Sequence, residues 1–151
     1  MAAVVLDSNL AILLVVGIAA RELIGKHRRL RKYTAADFDC LHGLMSGYSP
    51  ILVTPNTLTE TSNLCQQIRE PEKTRIAAAF RAFLDDADEE YVVSKQAARR
   101  SEFSRLWLTD VVILDQMTRS HLLITADLDL FVAAIKRGYT AINFNHVRPV
   151  W

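Results

Sequence analysis

The chain has 151 residues, half of them apolar, with 18 Lys+Arg against 17 Asp+Glu and a formal net charge of +1. That is long enough for one domain with a real core, residues 1–151, and no Pro/Gly/Ser-rich linker, low-complexity tract or internal repeat divides it. Cys40 and Cys65 have no CxxC spacing, and the four histidines form neither HExxH nor His-x-His, which argues against a zinc site or a disulfide framework and for reduced cysteines in a cytoplasmic protein.

The chain opens with a short buried strand over residues 3–6, and Asp7 is placed to cap a helix over 8–24. The apolar run at 10–20 is shorter than the ~20 residues a bilayer span needs. It also follows an acid where a signal peptide carries positive charge, so it reads as a core helix and no membrane partner is expected. Lys26, Arg28, Arg29, Arg31 and Lys32 then place five cations in seven positions, on a stretch that continues or hinges into a second helix. Such a run is either solvated surface or a phosphate-tracking patch.

Thr34 reads as the N-cap of a helix over 35–45, with Gly47 as its stop. A strand over 51–53 precedes Pro55, which turns the chain into a helix running to residue 69. Pro71 breaks that helix and starts another over 72–84, with Ile76, Ala79, Phe80 and Phe83 at helical spacing. A short strand at 91–93, a helix capped by Ser94, a helical stretch over 106–117, a strand at 122–125, a helix over 128–136 ended by Gly138, and a strand at 140–144 complete the pattern. Strands separated by helices imply right-handed crossovers, and so a three-layer α/β/α fold with a mostly parallel central sheet.

Four acids stand out against that frame. Asp7 follows Val4-Val5-Leu6, Glu60 lies in the helix after the second strand, Asp110 is embedded in an apolar helix, and Asp127 ends Leu122-Leu123-Ile124-Thr125-Ala126-Asp127. Each has a bland alternative. Asp7 and Asp127 could cap helices, and Thr57 with Glu60 matches a capping box. Asp110 has no capping role and shares its helix face with Leu106, Ile113, Leu114 and Met117, whereas Asp115 reads as ordinary surface. In parallel sheets, sites gather at the carboxyl ends of the strands, where Asp7, Asp127 and the helix of Glu60 fall. One divalent cation would account for all four acids, and carboxylates suit Mg²⁺ or Mn²⁺.

The order Asp…Glu…Asp…Thr-x-Asp resembles the PIN domain family of metal-dependent nucleases, and among those the small ribonuclease toxins of bacterial toxin–antitoxin pairs. The matching segments are Val5-Leu6-Asp7-Ser8-Asn9, Leu58-Thr59-Glu60, Leu108-Thr109-Asp110 and residues 123–131, with 50 residues from Glu60 to Asp110 and 17 from there to Asp127. The resemblance implies a metal site of Asp7, Glu60, Asp110 and Asp127, with Asp129 at a further acidic position. It also implies supporting hydrogen bonds from Asn9 and Thr125. The interval from Asp7 to Glu60 is longer than in the compact toxins and carries the basic run.

The function this implies is Mg²⁺- or Mn²⁺-dependent endoribonuclease activity, in which Lys26, Arg28, Arg29, Arg31 and Lys32, with Arg99 and Arg100, hold RNA phosphates. An antitoxin protein or a second copy of the chain would be the protein partner. The rival reading is a non-catalytic RNA-binding or scaffold domain that keeps the fold. A phosphatase ranks lower, because no Asp-x-Asp follows the first strand and no phosphate-binding glycine loop is present.

Overall fold

The computed structural model describes residues 2–149, so both ends of the 1–151 span lie outside the described residues. In chain order the elements are β1 (Val4–Leu6), α1 (Ser8–Ala19), α2 (Ala35–Met45), β2 (Ile51–Val53), α3 (Pro55–Cys65), α4 (Glu72–Asp86), β3 (Asp88–Glu89), α5 (Ser94–Ala97), α6 (Phe103–Gln116), β4 (Leu122–Thr125), α7 (Leu128–Lys136), β5 (Thr140–Asn143) and α8 (Phe144–Val147). The five strands form one sheet in the order β3-β2-β1-β4-β5, and every pairing is parallel.

The strands are short and apolar because both faces of the sheet are covered. Val4 and Leu6 point into one core with Val53, Leu122 and Ile124, packed by α1 and by apolar positions of α2, α3 and α4. Val5, Leu52 and Leu123 point the other way, into a second core built on α6 and α7 with Ala97 of α5. A period-two side-chain alternation thus separates two layers of helices, giving the three-layer α/β/α architecture. Among the described residues no helix is long and apolar enough to cross a membrane.

Several expected boundaries move. The first helix ends at Ala19, where Ala20 turns extended, and the chain continues as two 3₁₀ segments, Arg21–Lys26 and Arg28–Leu30, rather than a second α-helix. The helix expected to reach residue 69 stops at Cys65. No strand forms at 91–93; the edge strand is instead Asp88–Glu89, paired with Leu52 and Val53. Thr34 caps α2 as expected, in a reciprocal capping box with Asp37. Cys40 and Cys65 are both free.

The two helices that flank the basic segment meet at Gly17. A Cβ on Gly17 would fall within the van der Waals envelope of the Phe38 ring, so α1 and α2 approach closely only because this position lacks a side chain. Gly17→Ala is therefore expected to lower stability by about 1–3 kcal/mol. That sign is opposite to the gain of up to ~1 kcal/mol that alanine gives in an unobstructed helix, and a denaturant midpoint for the two proteins reads it directly.

Candidate active site

β1 and β4 lie side by side, with Leu6 level with Ile124, so the residues that follow them meet at the carboxyl edge of the sheet. Asp7 leaves β1 there with extended backbone and caps α1, its Oδ1 accepting from the Leu10 amide at 2.9 Å. Its Oδ2 accepts from the Thr125 hydroxyl and from the Ala126 amide at 2.8 Å. Three donors fix this buried carboxylate in one orientation and leave room for a further partner, since a carboxylate accepts at about four sites. The same Thr125 oxygen accepts from the Asp127 amide at 3.0 Å, tying the two acids through one hydroxyl. Asp127 caps α7 through Oδ1, at 3.0 Å from the Leu130 amide.

Glu60 is not part of a capping box. Thr54 caps α3, its hydroxyl accepting from the Thr57 amide at 3.3 Å, and Pro55 occupies the first turn. Thr54-Pro55 starts the helix before Thr57 can, because proline needs no amide partner at that position. Glu60 is thereby left exposed, well inside the helix, with no capping duty.

Asp110 lies half-buried on α6, which is broken at Trp107, where φ is +65° and ψ −173°. Burial, then the charges of Asp127, Asp7 and Glu60 in that order, push its carboxyl up to about 7, and nothing opposes the rise. The four acids singled out in the sequence therefore share one electrostatic field. Asp7 is also raised, chiefly by burial, against the pull of its three hydrogen bonds. Among the described residues none of the four is in an ion pair.

The contrast with the other buried acids is informative. Asp37, fully buried, is held by Arg148 at 3.0 and 2.6 Å. Glu102 receives Arg137 through two 2.7 Å bonds, and Asp115, whose side chain is only 7% exposed, pairs with Arg100 at 3.0 Å and Arg137 at 3.4 Å. Asp115 is thus a buried ion-pair member rather than surface, and Arg100 is its partner rather than a free phosphate contact. Elsewhere, buried acids are neutralised by arginine; at the rim they are not.

Among the described residues no three His, Cys, Asp or Glu side chains lie close enough together to hold a metal ion. The donor chemistry still suits a hard divalent cation: all oxygen, several negative charges, no competing cation. Asp129 is exposed in the first turn of α7 and is not among the charges that raise Asp110. Asn9 is exposed beside Asp7, and Thr125 carries the supporting hydrogen bonds expected of it.

Lys26, Arg28, Arg29, Arg31 and Lys32 are all exposed and, among the described residues, unpaired, as is Arg99. Lys26, Arg28 and Arg31 face Arg69 and Glu72 across a cleft of about 670 Å³. The buried ring of His27 anchors this segment, Nε2 lying 3.1 Å from the Cys65 carbonyl at the end of α3. Compared with models of known families, with curated proteins and with solved structures, the chain matches none.

Proposed function

We propose that the protein is a metal-dependent nuclease that hydrolyses RNA phosphodiester bonds at the rim formed by Asp7, Glu60, Asp110 and Asp127. The single observation that carries this reading is Asp110: a half-buried acid in the field of Asp127, Asp7 and Glu60, pushed up to about 7, with no arginine or lysine to relieve it. Such an arrangement costs stability and has no structural benefit, whereas function explains it.

Mg²⁺ or Mn²⁺ bound there would acidify water and offset charge developing at phosphorus. The residues prepare for that. Asp7, oriented by Leu10, Thr125 and Ala126, presents its remaining acceptor capacity at the sheet edge. Asp127 keeps Oδ2 free while Oδ1 caps α7. Asp110 would be drawn to its charged form by a cation held there, since burial and the neighbouring acids are what raise it. The unpaired cations of residues 26–32 and Arg69 hold flanking phosphates, a sequence-independent contribution that weakens with salt.

The test is cleavage of RNA by the purified protein with Mg²⁺ or Mn²⁺ and with EDTA, with the new ends identified. Attack by water from outside the chain needs no 2′-hydroxyl and leaves a 5′-phosphate and a 3′-hydroxyl; EDTA is expected to abolish it. Cyclic 2′,3′-phosphate ends formed in EDTA would overturn the mechanism. Growth arrest on expression would mark the narrower reading, a toxin held by an antitoxin.

A further inference from the structure

The rim acids adjoin a groove of about 600 Å³ between α3, the segment that follows β3, and α6. Glu60 forms part of its wall, and so does Thr109, the chain neighbour of Asp110. Across from them stands Tyr91, which is 80% exposed. Asn56 and Asn63 supply amide groups, and no lysine or arginine lines the groove. We infer that this groove receives an unpaired RNA base next to the scissile phosphate, with Tyr91 as its stacking face; this rests on the nuclease reading of the adjoining acids.

The chemistry selects the occupant. The groove offers no lysine or arginine to a flanking phosphate, whereas the basic cleft offers Lys26, Arg28, Arg31 and Arg69, so a flanking anion belongs there and not here. A neutral planar base needs an aromatic face and groups that both donate and accept hydrogen bonds, and the tyrosine ring and the two asparagine amides provide them. α3 links the two subsites: Glu60 borders the base groove, and the carbonyl of Cys65 anchors His27 beside the basic cleft. A base inside a duplex cannot enter such a groove, so the substrate is single-stranded at the cut.

Two readouts separate this inference from the reading it rests on. In EDTA, where the acids are inactive, binding of a fluorescent single-stranded RNA and of the same strand in a duplex reads the groove. Tyr91→Ala is expected to weaken the single strand about 5- to 100-fold while leaving duplex binding within twofold, and Tyr91→Phe, which keeps the ring, is expected to bind as the natural protein does. Cleavage with Mn²⁺ reads the acids separately. Unchanged single-strand binding by Tyr91→Ala would overturn the inference, as would equal losses for strand and duplex. A Tyr91→Phe loss as large as that of Tyr91→Ala would overturn stacking by assigning the contact to the hydroxyl.

Discussion

Asp110→Asn is expected to reduce RNA cleavage by ~10² or more and, in the same protein, to raise the melting temperature measured without divalent metal. The two effects have one source. The carboxyl of Asp110 is raised from 3.8 to about 7 by burial and by Asp127, Asp7 and Glu60, so the folded protein binds that proton more tightly than the unfolded chain. The resulting stabilisation is fully present below pH ~4 and is lost as pH rises through about 7. Metal-free protein is thus expected to melt higher at pH 5 than at pH 7.5, with Asp110→Asn flattening that slope. Each kcal/mol relieved corresponds to about 2–4 °C for a chain of this size. Millimolar Mg²⁺ or Mn²⁺ should supply part of the same relief to the natural protein by linkage. An inactive variant that melts lower than the natural protein at neutral pH would show that Asp110 supports the fold, and the electrostatic reading would fail.

Arg148→Ala is expected to be the most destabilising single change considered, at about 3–5 kcal/mol. Asp37 is fully buried, and its two oxygens meet the Arg148 guanidinium at 3.0 and 2.6 Å. The same guanidinium donates to the Lys32 carbonyl and lies 4.7 Å over the Tyr33 ring. Removing it strands a buried carboxylate and frees the segment between the basic run and α2. A drop of roughly 6–20 °C in melting temperature follows from that penalty. Asp37→Asn with Arg148→Ala should recover part of it, because the uncompensated charge is then gone, and the cycle of single and double variants measures the coupling. If Arg148→Ala alone shifts the melt by no more than a surface substitution does, the pair is not what closes this end of the molecule.

Local signals made much of the fold legible. Four strands and the capping of α2 by Thr34 follow from short apolar runs bounded by cap and turn residues, and Asp7, Asp110 and Asp127 announced themselves as acids beside apolar segments. What stayed hidden depends on partners far along the chain or on competition between neighbours. β3 is a charged dipeptide that carries no strand signal; it exists because Leu52 and Val53 offer it a hydrogen-bonding edge, and the more β-like Tyr91–Val93 misled. Thr57 and Glu60 fit a capping box in sequence, but Thr54 with Pro55 begins the helix earlier. Asp115 looked like surface because Arg100 and Arg137, its partners, lie 15 and 22 residues away. The break at Trp107 left no mark, since the residues around it keep helical spacing while φ +65° is a region that favours glycine.

Two of the three hydrogen bonds that orient Asp7 join residues 118 and 119 positions apart in the chain. During synthesis, β1 waits for β4 at residues 122–125, roughly 6–25 s at about 5–20 residues per second. Throughout that interval Asp7 has only the local Leu10 amide to hold it, and Val5 lacks the β4 half of its sheet. The Thr125 and Ala126 hydrogen bonds to Asp7 thus form together, when β4 docks beside β1.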